Sequence, residues 1–203
     1  MNIDLSHPLS ESTPSFPGDP KTSIRQLRHE GGDGILTGEI SCGLHTGTHL
    51  DAPAHFIKGG RLVSDYPADR FFGRGVLIDA RGKEKIDVDA LGVKEIRNGD
   101  IILVLTGWDK KYQDQGYFKD YPEVTENFAK NLIALGVKMI GLDSPSPDKF
   151  PFPIHRMLLA KDILIIENLT NLEALLPYEI FKIVALPAKM AAEAAFCRAV
   201  AKV

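Results

Sequence analysis

Three histidines and an aspartate, His45, His49, Asp51 and His55, fall within eleven residues of this chain in the string HTGTHLDAPAHF. Imidazole and carboxylate both hold divalent cations and move protons near neutral pH, and packing alone does not favour such a density of them. His45 and His49 have the i, i+4 spacing with which a helix presents two metal ligands. Gly47 between them and Pro53 shortly after oppose a stable helix, so the segment reads as a turn running into extended chain. In extended chain residues i and i+2 share a face, which lets His49 and Asp51 reach one ion while the Thr46-Gly47 turn brings His45 back toward it. Two imidazoles and a carboxylate make a three-ligand catalytic site with room for water. His55 is open to two readings: a further ligand, or a free imidazole that carries protons between nucleophile, intermediate and leaving group. Cys42, three residues before His45, is a lesser candidate ligand.

The elements that must hold these groups follow an α/β pattern. Four prolines, Pro8, Pro14, Pro17 and Pro20, together with Gly18 exclude regular helix at the start, so residues 1–22 read as an extended N-terminal arm. Ser23 to Leu27 and Ile35 to Cys42 are β-leaning and flank Gly31-Gly32-Asp33-Gly34, the pattern of a hairpin or meander. From Gly75 onward the pattern becomes strand, helix, strand. Val76 to Asp79 is short and apolar, Asp87 to Ile96 has helical spacing, and Ile101 to Leu105 is a continuous apolar run suited to a buried strand. Thr125 is placed to cap a helix that carries Phe128, Leu132 and Leu135 on one face and stops at Gly136. Val137 to Leu142 reads as another buried strand, a short helix covers His155 to Ala160, and Ile163 to Ile166 is a further apolar run. This alternation implies parallel pairing with helices packed on a sheet. The expected fold is a mixed α/β domain with an additional antiparallel portion, a single domain over residues 1–203. The Ala-rich tail, Met190 to Val203, suits a helix by composition and a terminal strand by length.

Glu167 closes the run Ile163 to Ile166, and open α/β sheets place their ligands at that carboxyl edge. Asp143 and Thr106 occupy the equivalent place on their own strands and are candidates on the same ground. The 203 residues are 44% hydrophobic and 25% charged, with a formal net charge of -3 from interspersed charges, so nothing marks a footprint for nucleic acid or an anionic membrane. A small-molecule or protein partner is expected instead. MNIDLSHP lacks a basic stretch followed by an apolar one, and no apolar run approaches the roughly 20 residues of a membrane span, so a soluble, cytoplasmic protein is expected. Two cysteines are too few for a disulfide framework and read as reduced thiols.

The string HTGTHLDAPAHF resembles the HxGTHxDxPxH signature of the metal-dependent cyclase family that includes bacterial kynurenine formamidase and isatin hydrolase. The resemblance extends to the opening IDLSHPLSESTPSFPGDP, to LTGW at Leu105 to Trp108, to GLDSPSPD at Gly141 to Asp148, and to His155 followed by Glu167 in IIENLTNL. It implies that His45, His49 and Asp51 hold one divalent metal while Asp51, His155 and Glu167 hold a second, with the carboxylates available to bridge. It also implies that His55 is the catalytic histidine. The implied ion is zinc, or alternatively manganese, and the implied fold is similar to a swivelling β/β/α domain with a parallel sheet, an antiparallel sheet and a helical layer. The implied activity is hydrolysis of an amide, as an arylformamidase of tryptophan catabolism or, alternatively, as a cyclic-amide hydrolase. A non-catalytic binding protein is the alternative from another class. Relative to kynurenine formamidases, Phe16 stands where tryptophan is usual, at a position expected to line the substrate pocket, and GTHLDAP stands in place of GAHADAP. AAEAAFCRAVAKV replaces the family's usual Ser-Pro turn before the last strand. A homodimer or larger homo-oligomer is expected, with the arm and Phe16 reaching into a neighbour's pocket.

Overall fold

The apolar runs that read as buried strands lie side by side in one sheet. The computed structural model describes residues 1–28 and 35–203, so the Gly31 to Gly34 turn lies outside the described residues. The strands are β1 (Asn2–Asp4), β2 (Ser23–Arg28), β3 (Leu36–Ser41), β4 (His49–Asp51), β5 (Phe72–Asp79), β6 (Lys85–Ile86), β7 (Ile101–Leu105), β8 (Glu123–Val124), β9 (Met139–Leu142), β10 (Leu164–Glu167), β11 (Phe181–Pro187) and β12 (Ala194–Lys202). The α-helices are α1 (Glu126–Leu135) and α2 (Pro153–Leu159).

Strands β5, β7, β9 and β10 pair in parallel, while β11, β12 and β4 complete the circuit with antiparallel pairing. Because β4 pairs with both β10 and β12, seven strands close into a barrel, and β1 is added alongside β12. The parallel sheet and the antiparallel portion expected as separate parts are thus two arcs of one closed sheet. Burial explains the continuous apolar runs. Leu77, Ile101, Leu103, Leu105, Leu164 and Ile166 fill the interior, whereas Val76, Ile78, Ile102, Val104 and Ile165 face outward beneath α1 and α2. Parallel strands covered on both faces read as unbroken hydrophobic segments for this reason.

Helix α1 forms as its signals predict: the Thr125 side chain accepts a hydrogen bond from Phe128 N, and Gly136 ends the helix in the left-handed conformation. The helix expected over Asp87 to Ile96 does not form. A single 3₁₀ turn, Val88–Leu91, ends at Gly92 with φ of 55°; Ala90, Leu91 and Ile96 pack against the outer core without a continuous helix, and Val93 is 104% exposed. The Ala-rich tail resolves as a strand, β12, whose alternate residues Ala195, Cys197, Ala199 and Ala201 point into the barrel. Strands β2 and β3 pair as the expected antiparallel ribbon. The start of the arm is itself a strand, β1, and beyond it residues 5–22 form no helix or strand longer than a bridge at Ser6. Among the described residues no helix is long and apolar enough to cross a membrane.

Small residues are required where the barrel is tight. A Cβ on Gly75 would lie 2.3 Å from a ring carbon of Phe181 and 2.8 Å from Ile183. Gly75→Ala is therefore expected to destabilise the fold by about 2 kcal/mol, the usual scale for overpacking a filled core, as read by urea denaturation. An unchanged midpoint would show that the closure yields freely.

Candidate metal centre

The closing strand carries the site. Gly47, at φ of 63°, makes the turn that ends in β4. Thr48 Oγ1 donates to the Asn168 carbonyl at 2.6 Å, and the Thr48 carbonyl accepts from Cys197 N, so the turn is tied to both neighbouring strands. The β4 register sets His49 opposite Glu167 on β10. Pro53 opens a 3₁₀ turn that ends at His55. His155 enters from α2, whose first turn is anchored by Asp148, a carboxylate that accepts from the backbone N–H groups of Ile154 and His155.

These elements bring the predicted groups together. His49 Nε2 lies 3.5 Å from Asp51 Oδ1 and 3.3 Å from Glu167 Oε2, while His155 Nε2 lies 3.7 Å from Asp51 Oδ2 and 3.2 Å from Glu167 Oε1. His45 Nδ1 is 2.9 Å from Asp51 Oδ1, and the His45 and His55 rings are 4.1 Å apart between centroids. Among the described residues two groups have ligand atoms close enough to share an ion, one of His49, Asp51 and Glu167 and the other of His45, Asp51 and His55. Asp51 belongs to both, as expected of a shared carboxylate, but the partition differs from the one the resemblance implies: His49 stands with Glu167, His55 stands with His45, and His155 belongs to neither group.

Two imidazoles are aimed by bonds to their far nitrogens. His49 Nδ1 donates to the Gly47 carbonyl at 2.8 Å and His155 Nδ1 donates to Asp148 Oδ1 at 2.6 Å, so each presents Nε2 to the carboxylates. His49 Nε2, both Asp51 oxygens and Glu167 Oε1 are buried with no hydrogen-bond partner. Buried polar atoms left in this state are costly, and a donor set of imidazole and carboxylate oxygen is what a divalent cation requires, so the residues fit a metal.

The electrostatics agree. Burial pushes Asp51 up, but His45 and His49 outweigh it and hold the carboxyl well below its usual range; Glu167 is likewise lowered against its burial by His155 and His49. Burial pushes His49 down, yet Asp51 and Glu167 raise it to about 9, and His155 is raised well above the usual value against its burial by Asp148, Asp51 and Glu167. His55, half-buried beside them, is lowered instead, chiefly by desolvation.

On the open side lies a cavity of about 200 Å³ walled by Phe16, Phe56, Phe118 and Phe152 and floored by His45, His55, His155 and Glu167. Phe16, 37% exposed, packs edge-on against Phe118 in its own chain's pocket. Asp143 is elsewhere: it accepts from Thr106 N, Thr106 Oγ1 and Gly107 N, locking the ends of β7 and β9 together, and burial raises it to about 6 against those bonds. Among the described residues neither metal-binding group contains Cys42. Sequence reasoning missed Asp148 and Asn168. The first sits in the quoted GLDSPSPD segment seven residues before His155, and the second follows Glu167 and donates to the Gly47 carbonyl.

A sequence model of the Cyclase family matches residues 3–149. The chain belongs to the Cyclase family. It is 29% identical over 202 residues to a kynurenine formamidase of Erythrobacter litoralis, covering 97% of this chain and 91% of that protein. A kynurenine formamidase of Geobacillus thermodenitrificans is 32% identical over 172 residues, covering 82% and 81%. The structure of isatin hydrolase A from Ralstonia solanacearum superposes with a TM-score of 0.90 at 26% identity, covering 100% of this chain and 92% of that one. The superposition with isatin hydrolase A covers the whole chain and so includes the closed mixed sheet.

Two outcomes follow for this family member. Asp148→Asn should lower metal affinity by about 10- to 100-fold, as loss of an orienting carboxylate does, measured by chelator competition on the folded protein. At pH 7 the raised His49 and His155 are protonated in the metal-free protein, so cation uptake releases protons and affinity rises with pH. Calorimetry in buffers of different ionisation enthalpy counts those protons, and a count of zero contradicts the geometry.

Proposed function

We propose that this Cyclase-family protein is a metal-dependent amidohydrolase that cleaves the C–N bond of an aryl amide, acting as a formamidase. The observation that carries the reading is the set of buried, partnerless ligand atoms on Asp51, His49 and Glu167, the last of which lines an aromatic pocket together with His45, His55 and His155. Relatives named kynurenine formamidase support the substrate type, and isatin hydrolase A supports hydrolysis of a C–N bond on the same fold.

In this reading His45, His49 and Asp51 hold one divalent cation and Asp51, His155 and Glu167 a second. The mixed imidazole and carboxylate donors suit zinc and also manganese. When bound, such ions polarise an amide carbonyl and lower the pKa of a water. The chain's own residues do the rest. The facing phenylalanines take the aryl group between them, excluding water and fixing the amide over the floor. His55, neutral because burial keeps its imidazole below the ordinary value, accepts a proton at a ring nitrogen and passes it to the departing amine nitrogen. The homo-oligomeric assembly that the resemblance implies belongs to the same reading, supported by Ile24, Leu36 and Ile40, which stand exposed on the β2–β3 ribbon. The arm's Phe16 then serves its own chain's pocket.

A second reading, opening of a cyclic amide, rests on the match to isatin hydrolase A over the whole chain. Incubation of the zinc- or manganese-loaded protein with N-formylkynurenine should release formate, and a panel of lactams and imides tests the alternative. Stoichiometric metal with N-formylkynurenine left intact defeats the formamidase reading. His55→Ala should lower kcat by about 10²- to 10⁴-fold with metal content retained, the range for losing a proton carrier; an unchanged kcat counts against this route.

A further inference from the structure

The pocket contains one polar side chain that neither the metal centre nor the scaffold uses. Of the polar groups that line it, His45, His155 and Glu167 belong to the buried cluster, and His55 faces it. Asn168 is spent on the Gly47 carbonyl, to which its Nδ2 donates, and on Tyr117, whose hydroxyl donates to its Oδ1. Ser146 Oγ donates to the Asp148 carbonyl. That leaves Asp19. Its backbone N–H donates to the Phe16 carbonyl, which fixes the turn, but its carboxylate makes no hydrogen bond or ion pair with any described residue. It is exposed, so it sits on the solvent side of the same cavity.

The surroundings give that free carboxylate a purpose. Phe16 and Phe118 meet edge-on with centroids 5.4 Å apart, and Phe56 and Phe152 stand 5.6 Å apart. Aromatic rings attract cations at their faces, and a carboxylate beside them adds a direct charge partner at a place where water still has access. A neutral aryl group would be held by the rings alone, and an anionic one would be repelled by Asp19.

We propose that Asp19 is a specificity-determining residue that selects aromatic amides bearing a positively charged substituent, such as a protonated amine on a short chain. The inference rests on the hydrolase reading for the word amide, and on the pocket alone for the charge preference. Asp19 acts by touching the substrate's charged group, away from the bond that breaks, so it governs binding and leaves the chemical step in place.

A binding experiment separates this inference from the hydrolase reading, because it needs no turnover. Phenethylammonium and 2-phenylethanol are titrated calorimetrically at pH 7 into the metal-loaded wild-type protein, Asp19→Asn and Phe16→Ala. The wild type should bind phenethylammonium about fivefold more tightly than phenylethanol, the factor that a partly exposed ion pair is worth. Asp19→Asn should bring the two to within about twofold, and added salt should do the same to the wild type. Phe16→Ala should weaken both together, which places the probes in the aromatic slot. An ammonium preference that persists in Asp19→Asn, the absence of any preference in the wild type, or binding indifferent to Phe16→Ala overturns the proposal. Failure to hydrolyse any formamide, with the charge preference and its loss in Asp19→Asn intact, removes the hydrolase reading and leaves Asp19 as assigned.

Discussion

A strand of three residues closes the barrel and holds the chemistry, and everything else is arranged around its register. Strand β4 hydrogen-bonds to β10 on one side and to the start of β12 on the other, so it has no free edge and no room to slip. A shift by one residue would turn His49 and Asp51 to the opposite face and put Leu50, fully buried in the interior, among the carboxylates. The hydrophobic demand of Leu50 therefore enforces the placement of the polar groups beside it. Metal chemistry in this protein rests on a packing constraint.

The centre that results is poorly balanced by itself. Asp51 and Glu167 are buried carboxylates, and imidazoles answer their charge only by taking up protons. Their partnerless oxygens could have been satisfied by backbone donors, as those of Asp143 are by Thr106 and Gly107. The contrast between two acidic residues at the ends of neighbouring strands shows what separates a structural carboxylate from a ligand. One is saturated with N–H groups. The other is left open at a cost that a bound cation offsets.

Much of this was legible in the sequence, for identifiable reasons. Helix α1 carried its own cap, apolar face and stop, so local rules sufficed. Parallel strands buried on both faces announced themselves as unbroken apolar runs. The i, i+2 pair on extended chain was readable because the period of a strand is two, and Glu167 stood out as a charge that ended an apolar run. Closure was not legible. It depends on β4 pairing with β10 and β12, partners more than a hundred residues away whose register no local pattern encodes. Asp87 to Ile96 misled because its apolar residues reach the outer core from a single turn that stops at Gly92, so the spacing served burial without a continuous helix. The tail was ambiguous because alanine favours helix intrinsically, whereas its small side chains fill a narrow interior, a reason visible only once the barrel exists. Asp148 was missed because an orienting residue has no pattern of its own until the imidazole it holds has been placed.

The pocket walls have a different origin from its floor. Phe16, Phe118 and Phe152 belong to connecting segments, while His49, Asp51 and Glu167 belong to barrel strands whose partners fix them on both sides. Catalytic power and substrate choice are thus inherited on separate parts of the chain. Divergence in the loops can retune what enters without disturbing the reaction, and loop exchange between relatives is the natural route to new activities on this frame.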